Sequence, residues 1–511
     1  MKLKIIAAGL LYAGLAKSQL AYADNQAPLE KDDEEIAALF PDLDDIKLYS
    51  PAFADPDSVP DGFANGTSGP TDIDTLDDFL RGIASRHSWA TYHGRPLQSE
   101  EGRIIPYVYL STSGRTKDTN EKLRIWLQGG VHGNEPAGDQ ALLALLARFD
   151  RNSTWAKSVL NKADIIVLPR YNPDGQTRDI KTVLSRFDPH VFLDAHEHTA
   201  SQKLGLDGHL RKAQDEQVSH VKNLNIHEDI RALGEGLFKD SIVAALEKHD
   251  LRWSAYFTAP SGRDLVLTEP SSVSRPSHNN AGLLQAVAFL SETRGIRLGN
   301  QHFQRRVATG SLVAETLIQT AVDNAKQVYK TIEKARKEFV DGDDDIVITD
   351  SARRVDTTWD FVDARNASII TLPVQFNNNT PPEVNLTRTR PEAYVFSRAW
   401  KEVAERLRIS GVEVETLKRD FEGEVEVLRV TSAIVATEKY EGVAETTVET
   451  ESIRKHVRIP VGGFRVSTRQ KNAAFAFITL EPENGSSYAT YNVVPLDVGD
   501  EYPIFRVLKA S

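Results

Sequence analysis

The run Val131-His-Gly-Asn-Glu-Pro-Ala-Gly138 decides how this chain is read. His132 and Glu135 stand three positions apart, directly after an apolar stretch, Leu123 to Leu127, that reads as a strand. Pro136 follows, where a helix can begin without losing a hydrogen bond. An imidazole nitrogen and a carboxylate oxygen at such a strand-to-helix corner can reach one metal ion. A third ligand from a distant strand would complete a catalytic Zn2+ site with one position open for water.

Val191-Phe-Leu-Asp-Ala-His-Glu-His198 offers that third ligand. Period-two alternation puts Asp194, His196 and His198 on one face of a strand. His196 is the expected ligand, His198 its substitute, and Asp194 a support for a ligating imidazole. An open zinc position also needs a proton acceptor. Glu292, in Phe289-Leu-Ser-Glu-Thr-Arg-Gly295, ends an apolar strand, with Arg294 two residues on.

Around these motifs the periodicity alternates between strand and helix. Strands are expected over 103–110, 123–128, 164–168 and 191–195, and helices over 73–84, 136–149, 177–186, 230–248 and 313–339. That alternation predicts an α/β fold, three layers α/β/α about a central mixed twisted sheet, over residues 75–340. After the acidic turn Asp341 to Asp345 the pattern becomes β-rich, so 341–511 is expected to be a mostly β accessory domain, with a helix over 398–408. Residues 24–74, rich in acidic residues, Pro and Gly, read as an acidic leader or linker, extended and solvated, with a propeptide as the other reading.

The first 23 residues have a basic start, a short apolar stretch Ile5 to Ala16 and small residues before Asp24. That is a secretory signal peptide, too short to span a bilayer. A secreted, extracellular protein is expected, and six Asn-x-Ser/Thr sites (Asn65, Asn152, Asn366, Asn378, Asn385 and Asn484) make it a candidate glycoprotein. The chain has 511 residues, a net charge of −12 and no cysteine. Disulfides, thiolate metal sites and a cysteine nucleophile are therefore excluded. No basic patch with interleaved aromatics suggests nucleic acid, and no later segment is apolar enough for a membrane.

VHGNEPAG, PRYNPDG (Pro169 to Gly175), FLDAHEH and FLSETRG, in that order and with the lead-in SEEGR (Ser99 to Arg103), resemble the zinc metallocarboxypeptidases of carboxypeptidase A type. The resemblance covers about residues 75–300. It implies His132, Glu135 and His196 as ligands of Zn2+, and Glu292 as the general base that activates water against the scissile amide of a peptide or protein substrate. The His₂Glu zinc set is the one general chemistry assigns to carboxypeptidase A. Tyr256 would be the tyrosine that closes over the substrate.

The chain departs from that family at one place. There, NPDG is followed by a long loop carrying an oxyanion-stabilising arginine and an Asn-Arg pair that grips the terminal carboxylate. Here Gly175 runs directly into Gln176-Thr-Arg178, and no Asn-Arg pair occurs before His196. Arg170 and Arg275 are the basic candidates for substrate binding, with Arg294 and the amides of Asn279 and Asn280 behind them. Two other functions follow from a lost clamp: a zinc amidohydrolase or deacylase of N-acyl amino acids, and a catalytically impaired member serving as a binding protein.

Overall fold

The computed structural model describes residues 28–54, 70–95, 97–99, 101–113, 122–172, 179–440 and 442–509. The stretch expected to be a signal peptide and the junction at Gly175 lie outside the described residues. Among the described residues, ten strands precede the C-terminal region: β1 (Ala90–His93), β2 (Tyr107–Leu110), β3 (Leu123–Gly129), β4 (Ala163–Leu168), β5 (Val191–Thr199), β6 (Leu210–Lys212), β7 (Glu216–His220), β8 (Trp253–Ala255), β9 (Val266–Thr268) and β10 (Val287–Ile296).

Eight of them form one mixed sheet in the order β1-β2-β4-β3-β5-β10-β7-β8. The centre is parallel, with β4, β3, β5 and β10 side by side, and antiparallel neighbours lie on both flanks. β5 and β10 are buried along nearly their whole length. Burial on both faces of a parallel strand requires a helix layer on each side, which is the expected α/β/α arrangement. Trp126, Phe192 and Phe289 sit fully buried in its core. Helix Pro136–Arg151 packs on β3 and β5 and on helix Phe303–Asp323.

Two glycines let that helix approach the sheet. A Cβ on Gly138 would lie 2.2 Å from the Ala195 carbonyl oxygen, and one on Gly129 would lie 2.9 Å from the Gly138 backbone. The last residue of the opening motif is therefore fixed by contact between helix and strand. The helix expected over 313–339 is two helices, Phe303–Asp323 and Ala325–Asp341. Asn324 parts them with φ −109° and ψ 25°, and both its backbone N–H and its Nδ2 donate to the Thr320 carbonyl.

The acidic stretch read as extended and solvated is packed on the body over residues 28–54. Ile36, Phe40 and Leu43 are buried, and short helices run over Glu34–Ala37 and Pro51–Ala54. Counter-charges account for the difference: Asp32 meets Arg294 and Glu30 meets Arg297. The local composition showed only the anions.

Strands β11 (Ile346–Asp363) and β12 (Ser368–Arg388) form a long hairpin. They build a sheet in the order β6-β11-β12-β9, so strands from before and after residue 341 share hydrogen bonds. A six-stranded sheet follows, together with the expected helix (Lys401–Ile409) and a buried apolar helix, Ala473–Leu480, that the β-rich pattern had concealed.

Candidate active site

In parallel α/β sheets, sites form beyond the carboxyl ends of the strands. β3 ends at Gly129, Gly130 takes φ +65°, and the loop then turns through His132 to Glu135 before the helix starts at Pro136. The run after β4 holds this loop: Tyr171 N–H donates to Gly129 O at 2.8 Å, and Asn172 Nδ2 to Val131 O at 2.9 Å. The PRYN part of the second motif thus braces the first.

His196 enters from β5, beside that loop. Its Nδ1 lies 2.8 Å from Glu135 Oε2 and 3.3 Å from His132 Nδ1, while His132 Nδ1 lies 2.8 Å from Glu135 Oε1. One ligand atom from each residue falls within 4.8 Å of the others. Two neutral-capable nitrogens and a carboxylate converging on one point are a donor set suited to zinc. Burial alone would raise the Glu135 carboxyl, but hydrogen bonds from His132 and His196 hold it down at about 2, as an anion. The other nitrogen of His196, Nε2, lies 2.9 Å from Asp194 Oδ2, the position expected of a carboxylate that orients a ligating imidazole.

Glu292 stands directly beside His196 in the parallel register of β5 and β10. It is buried, and its carboxyl is raised well above the usual range, chiefly by desolvation. The arrangement can therefore place a proton acceptor next to a metal-ligand set. His132, Glu135, Glu292 and Tyr256 line one cleft of about 550 Å³. The negative charge of Glu292, with burial, raises the Tyr256 phenol.

Arg170 and Arg275 do not line this cleft. Arg170 donates to Asp139 Oδ2 at 2.7 Å and to Thr71 O at 2.8 Å, because a carboxylate buried in the first turn of helix Pro136–Arg151 needs a counter-charge. Arg275 lies 3.4 Å from Glu445 and its guanidinium sits 4.0 Å from the Tyr440 ring, against the C-terminal region. Arg294 is taken by Asp32. Asn279 Oδ1 accepts from Lys222 N–H, and its Nδ2 donates to Ser271 and Val273 carbonyls.

Three further buried groups stand around the site. Glu197 accepts from Ala137 N–H at the start of the helix and pairs with Arg306 at 2.7 and 2.9 Å, tying β5 to two helices. His198 is buried in the cleft wall, and neither ring nitrogen has a hydrogen-bond partner among the described residues. Lys212 is buried in the same wall. For His198 the Asp-x-His-x-His alternation was a signal; for Lys212 the sequence holds none.

A zinc carboxypeptidase family profile matches residues 76–187. The chain is 43% identical to carboxypeptidase 2 of Trichophyton tonsurans over 518 positions, covering 96% of each chain. It is also 43% identical to carboxypeptidase 2 of Trichophyton rubrum with the same coverage. An alignment of 518 positions is longer than this chain of 511 residues, so the relative carries residues without a counterpart here. Among solved structures, carboxypeptidase A from Helicoverpa armigera shares 14% identity over 52% of this chain and 77% of that one, with a TM-score of 0.37. On the strength of full-length identity to the fungal relatives, the chain belongs to the zinc carboxypeptidase family of peptide-bond hydrolases.

Proposed function

We propose that this protein is a secreted metallocarboxypeptidase that removes C-terminal residues from peptides, with His132, Glu135 and His196 holding Zn2+ and Glu292 acting as general base. The observation that carries the reading is the register of β5 and β10, which sets Glu292 beside His196 at the edge of the convergent donor set. Zinc bound there would supply Lewis-acid polarisation of the scissile carbonyl and of water.

The chain's own residues do the rest. A carboxylate Oε of Glu292 takes the proton of the attacking water and passes it to the departing amide nitrogen, so that one C–N bond is broken and one C–O bond formed. Asp194 lies against the ring of His196, its Oδ2 2.9 Å from Nε2, and Tyr256 lines the cleft with Glu292. Burial of Glu292 keeps bulk water from competing for its proton.

Export is part of the proposal and rests on the N-terminal sequence. Among the described residues no helix is long and apolar enough to cross a membrane. Of the candidate glycosylation sites, Asn152, Asn366 and Asn385 are exposed. Asn484 is buried, with Nδ2 donating to Ile348 O at 2.7 Å, so a glycan there is not expected.

The sequence junction at Gly175 favours a second reading, a zinc amidohydrolase of N-acyl amino acids, which would not need the family's loop. The two are separated by assaying the zinc-loaded enzyme on a blocked tripeptide and on an N-acyl amino acid, with products identified by mass spectrometry. Release of a free C-terminal amino acid from the tripeptide supports the carboxypeptidase; turnover of the N-acyl amino acid alone overturns it.

A further inference from the structure

The carboxypeptidase reading needs a partner for the substrate's terminal carboxylate: neither Arg170 nor Arg275 lines the cleft, and of the cations that do, Arg297 is paired with Glu30 and Lys203 is exposed. Lys212 does reach it. Its residue is 3% exposed, and it lines the cleft with Glu292, Tyr256 and His198. The ammonium is 5.9 Å from the Tyr256 ring centre.

The partners of this lysine are weak for a buried charge. Nζ donates to Gln217 Oε1 at 3.3 Å and to the Phe257 carbonyl at 3.2 Å, both neutral oxygens. Among the described residues it forms no ion pair, whereas the other buried cations at this end of the sheet do: Arg294 with Asp32, Arg305 with Asp215 and Arg306 with Glu197. Burying a cation with no carboxylate in contact is costly, and Glu292 acts on this one only from a distance, which leaves the ammonium able to take a charge that arrives. Burial lowers the Lys212 ammonium only to about 8, with the negative charge of Glu292 opposing, so it is still mainly protonated at neutral pH.

A second group points the same way. His198, buried in the same wall, has both ring nitrogens unpartnered among the described residues. A neutral imidazole always has one N–H to donate, and the backbone groups nearest to it, at Thr199 and Gln214, approach without full hydrogen-bond geometry. An unpaired ammonium and an unused imidazole N–H on one wall make an acceptor-binding corner. We propose that Lys212, helped by His198, binds the terminal carboxylate of the substrate.

The position of Lys212 depends on the C-terminal region. β6 carries it, and β6 pairs with β11, Lys212 standing opposite Phe361. The hairpin beyond residue 341 therefore holds the strand that presents the anchor, which gives that region a part in substrate binding.

This inference rests on the carboxypeptidase reading, and the test separates the two. The full-length, zinc-loaded wild type, Lys212→Gln, Lys212→Met and Lys212→Arg are compared on a blocked tripeptide ending in leucine, and on one ending in glutamate. The same peptides as C-terminal amides serve as competitors. The expected result is a rise in KM of roughly tenfold or more for both free-acid substrates in the glutamine and methionine variants, with kcat changed far less. Arginine should restore most of the affinity. Wild type should prefer the free acid to the amide, and the two neutral variants should lose that preference.

An unchanged KM in a folded neutral variant would overturn the proposal, as would a loss confined to the substrate ending in glutamate, which would make Lys212 a side-chain selector. If wild type releases no C-terminal residue from either peptide, the carboxypeptidase reading itself fails, and the anchor with it.

Discussion

Asp32 holds Arg294 with both carboxylate oxygens, at 2.6 and 2.9 Å, and both side chains are almost fully buried. Arg294 lies two residues beyond Glu292 on β10, so a segment 262 residues earlier in the chain braces the strand end that carries the proposed base. The Phe40 ring packs 4.0 Å from the same guanidinium. Asp32→Asn leaves that guanidinium buried and uncompensated, and should cost about 3–5 kcal/mol of stability. Burial would raise the Asp32 carboxyl, but hydrogen bonds from His302 and Arg294 hold it well below its ordinary value. Its contribution is therefore present above the unfolded value of about 3.9 and is lost as pH falls through the folded one. Urea unfolding of both proteins should show a gap near neutral pH that narrows under acid conditions; a constant gap would count against the pair.

Gly138→Ala tests the contact between helix and strand. The new Cβ would meet the Ala195 carbonyl oxygen at 2.2 Å and its carbon at 2.8 Å, and backbone cannot rotate away. A loss of about 1–3 kcal/mol or more is expected. Because Ala195 precedes His196, zinc affinity should fall with it. Thermal unfolding with and without zinc measures both effects.

Glu292→Gln should lower kcat by about 10²–10⁴-fold while leaving zinc content unchanged. His132→Ala and His196→Ala should instead lose the metal, with activity that added zinc restores poorly. Chelation of wild type should abolish activity reversibly. Metal analysis alongside kinetics separates the base from the ligands, and a fully active glutamine variant would remove Glu292 from its role.

Glu216 offers a pH test away from the donor set. Its Oε1 accepts from Ser291 Oγ and from Glu292 N–H, both at 2.8 Å, and burial pushes its carboxyl up to about 8. A raised folded value means stability present below the unfolded value of about 4.3 and lost as pH rises through 8. Glu216→Gln keeps an oxygen acceptor and removes the titration. Relative to wild type the variant should gain up to about 1.4 kcal/mol per pH unit across that interval. Parallel stability curves from pH 5 to 8.5 would show that Glu216 is not protonated in the fold.

Much of the site was legible because its residues are close in sequence or fixed by strand alternation. His132 and Glu135 share one turn, Asp194 and His196 share one face of β5, and Glu292 ends an apolar run. The α/β alternation gave away the layered fold for the same reason, since helix and strand periods are local. Arg170 and Arg275 were misjudged because an arginine's partner is seldom its neighbour: Asp139 and Glu445 claimed them across the fold. The acidic stretch misled in the mirror image, its basic partners lying near residue 300.

What the sequence determined by itself is the chemistry at the end of the sheet: a His-x-x-Glu corner, a strand-end histidine and a glutamate on a later strand. Only the tertiary structure decided which charges were already spent. Pairing of buried charges depends on distances between segments that lie 31 to 262 residues apart, and no local period records it. Arg294 went to Asp32, Arg306 to Glu197 and Arg170 to Asp139. Lys212, brought in by a strand that hydrogen-bonds to the C-terminal hairpin, lines the cleft with Glu292 and forms no ion pair among the described residues.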